Sequence, residues 1–273
     1  MSRDCPAPGK QQLQNGCTKN QAELYTEDFS NYPNDLYRIA GISSEAYESL
    51  SLTYPFLSPF TLDHDSYRFI SIGDVIACFP NEQQLIRILQ QWDIGDEFNP
   101  KVSVAYFVEY SLARMRKWMK TCSRRSSYIM DSVWLQNPIN EMKFRNAGER
   151  EIVEYCKAIA SVFAGYHQIC VYFKGRNVDD TIQFASRVKG ELWRIRVAEH
   201  ISKTPIGIVN EWSGMEGVLH FFTYRARIEE IILSLGIMTT YEYEVDGHNW
   251  RELYADIERR LERTGFLASS ETQ

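Results

Sequence analysis

The stretch 127–138 is the feature of the sequence that most limits how this chain folds. It reads Ser-Tyr-Ile-Met-Asp-Ser-Val-Trp-Leu-Gln-Asn-Pro, and its apolar residues fall on both alternating faces. Such a run is typical of a strand buried inside a parallel sheet. Asp131 interrupts the run, and a carboxylate at the end of a buried strand is costly unless a ligand, a metal or an Arg compensates for it. We therefore expect the chemistry to lie at Asp131, with Gln136-Asn137-Pro138 stopping the strand and turning the chain outward.

Helix-like and strand-like segments alternate along the chain. Helical periodicity marks six segments, which are 81–91, 102–120, 148–163, 179–200, 216–235 and 249–264. Short runs typical of strands occupy 22–26, 67–72, 128–135, 169–173 and 238–245. Ser43 or Ser44 is placed to cap a short helix, and 29–41 is expected to be a loop. Strands that alternate with helices pair in parallel, so the sequence predicts an α/β fold, a three-layer α/β/α sandwich with a mainly parallel sheet.

The domain organisation follows from composition. Residues 1–21 are polar and broken by Pro and Gly, so we expect a disordered or loose arm there. The rest contains no repeat and no low-complexity linker, which indicates a single domain over 22–264 and a tail over 265–273.

Charge and cysteine usage narrow the class of protein. The formal net charge of −6 argues against non-specific binding to nucleic acid. The six Cys residues show no Cys-x-x-Cys spacing, which favours reduced thiols over a disulfide or zinc framework. No apolar run approaches the ~20 residues of a membrane span, and the N-terminus shows no apolar signal core. We expect a cytoplasmic protein that binds neither membranes nor nucleic acid.

Several separate segments between about 22 and 263 carry a resemblance to one family. They are Leu-Tyr-Thr-Glu-Asp at 24–28, Tyr-Pro at 32–33, Ser-Ser-Glu-Ala-Tyr-Glu at 43–48, Tyr-Ile-Met-Asp at 128–131, Leu-Gln-Asn-Pro at 135–138, Ile-Cys-Val-Tyr-Phe at 169–173, Arg187 with Trp193-Arg194, and Gly-Met-Glu-Gly at 214–217 with Arg225, Arg227 and Glu229. In this order and spacing the chain resembles bacterial P-loop kinase-like proteins, a thymidylate-kinase-like group of P-loop NTPases. The resemblance implies an ATP-dependent transferase that uses Mg²⁺, acts on a nucleotide or another small molecule, and has a helical lid near 176–212.

The N-terminal segment of the chain departs from the sequence pattern of this family. A phosphate-binding loop needs a buried strand, then Gly-x-x-x-x-Gly-Lys-[Ser/Thr], then a helix. Pro8-Gly9-Lys10-Gln11 is the remnant here, with Gly9 and Lys10 as the phosphate-binding candidates, no strand before them and Gln11 in place of the metal-binding hydroxyl. We expect either a degenerate loop with impaired ATP binding or a true N-terminus upstream of Met1.

The resemblance implies a role for each candidate side chain. Asp131 approaches the Mg²⁺ or accepts a proton from the substrate, and Glu27 or Asp28 orients the acceptor group. Arg187 and Arg194, seven apart, are expected on one face of a single helix and clamp the moving phosphoryl group. The remaining candidates for binding the cofactor are Arg225 and Arg227. For Asp131 the structural alternative is an acid hydrogen-bonded to backbone amides. For Glu27 and Asp28 it is a solvated acidic pair in a loop, and for Arg187 and Arg194 it is a salt-bridged helix surface.

Two further patterns give only weak evidence for a functional site. His64 stands between Asp63 and Asp65, but such a triplet in a loop is more often solvated than metal-binding. Asp246-Gly247-His248 suggests the acid and base of an α/β-hydrolase, yet no Gly-x-Ser-x-Gly elbow precedes it.

Two functional hypotheses remain open. The first is an ATP-dependent kinase of a nucleotide or other small molecule. The second is a pseudoenzyme, a catalytically inactive relative that binds a ligand or partner in the same cleft. If the first strand of the sheet is missing, its neighbours have unpaired edges, which predicts low stability or a homodimer formed through the gap.

Overall fold

The computed structural model describes residues 23–25, 36, 38–124, 126–175, 177–245 and 249–266, and all structural statements concern these residues. The strands are β1 (Glu23–Tyr25), β2 (Ile39–Ser43), β3 (Thr61–His64), β4 (Tyr67–Ser71), β5 (Tyr128–Met130), β6 (Ile169–Lys174) and β7 (Thr239–Glu244). The α-helices are α1 (Ser44–Thr53), α2 (Ile72–Cys78), α3 (Gln83–Gln90), α4 (Val104–Met119), α5 (Gln136–Phe144), α6 (Glu149–Val162), α7 (Val178–Lys189), α8 (Glu191–Lys203), α9 (Pro205–Val209), α10 (Gly214–Ser234) and α11 (Trp250–Arg263). A 3₁₀ helix (Pro55–Phe60) links α1 to β3.

Two separate pairs of parallel strands form part of the fold. Strand β1 pairs with β5, with Tyr25 opposite Met130. Strand β6 pairs with β7 over its whole length, with Ile169 opposite Thr239. Within the described residues β5 and β6 each pair along one edge only. The mixed α/β class and the parallel pairing agree with the sequence, but the strands form small sheets rather than one continuous sheet.

Strand β6 has helices on both of its faces. Ile169 and Val171 pack on the buried side chains of α11, which are Leu253, Tyr254, Ile257 and Leu261. Cys170 and Tyr172, which point the other way, pack on the main core. Because side chains alternate along a strand, this division means that α11 covers one face and the main core covers the other.

The main core is built by helices. Its fully buried residues include Phe107 and Met115 of α4, Ile152 and Ile159 of α6, and Ile228 of α10. Met130 of β5 also packs against this cluster. The helices therefore hold the two parallel pairs on one shared core, although β5 and β6 do not pair with each other.

A second sheet was not predicted. Strand β4 pairs antiparallel with β2 on one side and with β3 on the other, so half of the strand pairings are antiparallel and the expectation of a mainly parallel sheet was incomplete. Strand β2 also corrects the predicted loop over 29–41, because its first residue is Ile39. This sheet has its own core, which includes Ala40, Ile70 and Leu85.

Most predicted helices are found within a few residues of their expected ends. Ser43 is the N-cap of α1, and its hydroxyl accepts a hydrogen bond from the backbone N–H of Ala46 at 3.2 Å. The prediction of a single helix over 179–200 is wrong, because this segment forms two helices, α7 and α8. Gly190 separates them with φ of 82°, a conformation that ends a right-handed helix and that glycine adopts without strain.

The described residues include no helix with the length and apolar character needed to cross a membrane.

The open edge of β6 makes a prediction for hydrogen exchange. Alternate backbone N–H groups of a strand point to opposite edges, so about half of the amides in β6 lack a partner in β7. We expect these to exchange at rates typical of loops, while the amides that face β7 stay protected, as measured residue by residue by NMR. Uniform protection along β6 would contradict the open edge and would show that another strand occupies it.

Candidate functional site at the end of strand β5

Asp131 lies directly after the last residue of β5, where the strand gives way to a tight turn. Ser132 follows with φ of 63°, in the left-handed region that is uncommon for residues other than glycine. Such conformations persist only where the surroundings enforce them, and they cluster at functional sites.

Side-chain contacts enforce this turn. The Ser132 hydroxyl lies 3.2 Å from Asp131 Oδ1 and 3.5 Å from Gln136 Oε1, with the shorter contact to the carboxylate. The backbone N–H of Asn137 donates to the carbonyl oxygen of Ser132 at 3.1 Å. The indole N–H of Trp134 donates to the carbonyl of Cys156 at 3.0 Å and so fastens the turn to α6.

The turn corrects the predicted strand over 128–135. The strand ends at Met130, and its three residues are half-buried rather than buried. Gln136-Asn137-Pro138 begins α5 instead of a loop. Proline is tolerated in the first turn of a helix, because the N–H groups there have no intrahelical acceptor.

The parallel pairing of β1 with β5 brings two strand ends to one edge. Tyr25, the last residue of β1, is opposite Met130, the residue before Asp131. Glu27 and Asp28, the predicted acceptor acids, lie outside the described residues, as do Gly9 and Lys10. The position of Glu27 and Asp28 at this edge stays a prediction.

The predicted lid arginines occupy two helices rather than one. Arg187 is exposed near the end of α7, and Arg194 lies in α8 beyond the break at Gly190. Arg194 forms an ion pair with Glu191 at 3.0 Å. In the described part of the chain neither arginine forms an ion pair with Asp131, and their role as lid arginines stays a prediction.

The other two predicted arginines have structural partners on α10. Arg225 lies 3.2 Å from the buried carboxylate of Glu229, which also accepts a hydrogen bond of 2.8 Å from the Tyr172 hydroxyl of β6. Arg227 pairs with Glu149 at 2.5 Å. Arg225 therefore helps to join α10 to β6, and Arg227 joins α10 to α6.

One carboxylate at a strand end fits a magnesium ion, which keeps several water ligands and binds to one or two carboxylates and to phosphates. Among the described residues there is no group of three His, Cys, Asp or Glu side chains placed to hold a metal. His64 is buried, with its Nδ1 3.5 Å from Asp65, and burial lowers its pKa. The described residues therefore show no cluster of metal ligands, and a role for Asp131 in binding Mg²⁺ stays a prediction.

A second ionisable cluster was not predicted from the sequence. His200 Nε2 of α8 lies 3.1 Å from Glu97 Oε1, in the loop before α4. Burial raises the pKa of Glu97 and lowers the pKa of His200, so burial disfavours the charged form of each group. On α5, burial also raises the pKa of Glu141, against the opposing effect of Arg145, 2.6 Å away. This cluster connects α8 to α5, and its residues are too far apart in the sequence for a local pattern to reveal it.

The left-handed turn predicts an unusual order of stability for two variants. Ser132→Ala keeps the Cβ strain and loses the hydroxyl, whereas Ser132→Gly loses the hydroxyl and relieves the strain. We expect Ser132→Gly to be the more stable of the two by about 1 kcal/mol in urea denaturation, because a side chain in this conformation costs about that much. A more stable Ser132→Ala would show that the turn is not left-handed.

The half-buried His200, whose side chain is 39 % exposed, predicts a dependence of stability on pH. Its pKa is lower in the folded chain than the unfolded value of 6.5, so its neutral form contributes stability above that pH. That contribution is lost as the pH falls, because the unfolded chain gains the proton first. We expect the free energy of unfolding of wild type relative to His200→Gln to decrease between about pH 7.5 and about pH 5.5.

The matched control for this measurement is His220→Gln, because the His220 side chain is 56 % exposed. A His200→Gln difference that is flat over this pH range, or one equal to that of His220→Gln, would contradict the assignment.

No protein-family model, no curated protein and no solved structure matches this chain. The functional conclusions therefore rest on the residues and the geometry described above.

Proposed function

We propose that this protein is a kinase-like member of the P-loop NTPase class whose degenerate phosphate loop impairs its binding of ATP. Its substrate site, for a nucleotide or another small molecule, lies at the carboxyl end of β5. The observation that carries the proposal is the parallel pairing of β1 with β5, which places Asp131 at an edge shared by two strand ends. Ligands of α/β proteins bind at such edges.

The packing of helices on both faces of β6 supports the proposal of a three-layer α/β/α fold. Helix α11 lies on one face of this strand and the core of α4, α6 and α10 lies on the other. If a further strand pairs with both β5 and β6, the two parallel pairs become one sheet covered on both faces. In that arrangement α7, α8 and α9 form the lid.

The chemistry proposed for the site uses few side chains. ATP and Mg²⁺ supply the phosphoryl group and its charge neutralisation. Asp131 would hold the metal or its water shell, and the contact of its carboxylate with the Ser132 hydroxyl positions it. Glu27 or Asp28 would orient the acceptor group. Arg187 and Arg194 would bind the phosphates as lid arginines.

The second hypothesis is a catalytically inactive relative that binds a ligand or partner in the same cleft. The ion pairs of the arginines favour it. Arg194, Arg225 and Arg227 each pair with a carboxylate on their own or a neighbouring helix. An arginine that already has a carboxylate partner must break that pair before it stabilises a transferred phosphoryl group.

Titration calorimetry with MgATP tests the proposal. We expect saturable binding by wild type and about tenfold weaker binding by Asp131→Asn, a loss of about 1.4 kcal/mol. The control is Glu48→Gln, an exposed acid of α1 remote from this turn in sequence, and it should bind as wild type does. Micromolar affinity accompanied by ADP formation supports the kinase, and binding without turnover supports the inactive relative. Equal affinities for Asp131→Asn and Glu48→Gln would contradict a site at β5.

A further inference from the structure

The helices α7 and α8 expose a local group of large apolar side chains. Phe184 and Val188 of α7 are 62 % and 67 % exposed, and Leu192 and Ile195 of α8 are 68 % and 45 % exposed. The described residues include twelve exposed large apolar side chains, and four of them fall within 184–195. Apolar residues scattered singly over a surface are ordinary, whereas a local group of them is typical of an interaction surface.

The opposite side of α7 already packs on the rest of the chain. Ile182 is buried and belongs to a cluster with Ile201 of α8 and Phe221 of α10. Residues two apart lie about 200° apart around a helix, so Phe184 points away from this cluster. Helix α7 thus has apolar side chains on two opposite sides, which is typical of a helix that is covered on both. Within the described residues only the inner side is covered.

Two charged side chains share the outer face of α7 with Phe184. Asp180 is four residues before it and Arg187 three residues after it, and residues at these spacings lie on one face of a helix. Both side chains are exposed, and neither forms an ion pair with a described residue. Asp180 accepts a hydrogen bond of 2.6 Å from the Asn177 side chain. The outer face therefore carries an acid near its beginning and a base near its end.

These charges are complementary to those of a second copy of the same helix that runs in the opposite direction. The midpoint between Asp180 and Arg187 falls next to Phe184, so a two-fold axis through that point brings Phe184 of both copies to the centre. The same axis places Asp180 of each copy opposite Arg187 of the other. A two-fold interface needs such self-complementarity, because both copies use the same surface. A parallel arrangement would place like charges together.

We propose that the outer face of α7 is the interface of a homodimer, in which two copies pack antiparallel through Phe184 and Val188. Leu192 and Ile195 continue the exposed apolar surface beyond the end of α7. The two pairs of Asp180 with Arg187 lie at the rim, where charges set orientation more than affinity. Because two short helices offer a small interface, we expect a dissociation constant on the order of 10 μM.

This interface is separate from the open strand edges and does not depend on the kinase proposal. It uses Arg187, whose guanidinium group cannot pair with Asp180 of a second copy and bind a phosphate at the same time. Dimerisation would therefore compete with the lid role proposed for Arg187.

Sedimentation equilibrium of the full chain, from about 1 to about 200 μM, tests the proposal. We expect reversible dimerisation by wild type and at least about tenfold weaker dimerisation by Phe184→Ser, which removes the central aromatic side chain. The matched control is Leu52→Ser, because Leu52 of α1 is 87 % exposed, and this variant should dimerise as wild type does. Both changes concern exposed residues, so circular dichroism should show both variants folded.

Reversal of charge tests the antiparallel arrangement. Asp180→Arg and Arg187→Asp each place like charges opposite each other, so each variant alone should dimerise more weakly than wild type. In an equal mixture of the two, every contact joins opposite charges, and we expect association to return to the level of wild type. A mixture that associates no better than the separate variants would overturn the antiparallel interface.

Two other results would overturn the proposal. Equal dimerisation by Phe184→Ser and Leu52→Ser would show that the dimer uses another surface. A wild type that stays monomeric throughout would exclude a second copy as the occupant. In that case a lower stability of Phe184→Ser than of Leu52→Ser would assign the face to another segment of the same chain, and equal stabilities would assign it to a different partner.

Discussion

The packing of α6 against α4, α5 and α10 is the interaction on which the rest of the structure depends. The sheets have two or three strands each, and such small sheets are not stable without a core to cover them. Ile152, Cys156 and Ile159 of α6 are fully buried in the main core, and residues of β5 and β6 pack onto it. The helices therefore position the strands, whereas in a continuous parallel sheet the strands support one another.

Helix α6 also positions the turn at the end of β5, where the substrate site is proposed. Near its middle, the carbonyl of Cys156 accepts the Trp134 indole N–H and fixes the turn that carries Asp131. At its first residue, Glu149 pairs with Arg227 and so links α6 to α10. Burial raises the pKa of the Cys156 thiol to about 12, which keeps this packed face of α6 chemically inert.

The parts of the fold that could be predicted from sequence are those with a local signal. Helical periodicity gave α4, α6, α10 and α11, and compact apolar runs gave β6 and β7. The extent of β5 was not predictable, because Val133, Trp134 and Leu135 look like strand residues and nothing local shows that Ser132 is left-handed. Gly190 was a visible signal for the break between α7 and α8, and the prediction of one helix overlooked it.

The site was predictable only where one residue stood out from its surroundings. Asp131 did so as a carboxylate in an apolar run. The pair of Glu97 and His200 depends on a tertiary contact, for which no local pattern exists. The central claim, that ligand chemistry occurs at the end of β5, is tested most directly by NMR with the paramagnetic Mn²⁺–ATP complex. The account predicts that the amide signals of Asp131 and Ser132 broaden before those of α11; broadening that begins elsewhere, or none at saturating complex, would contradict it.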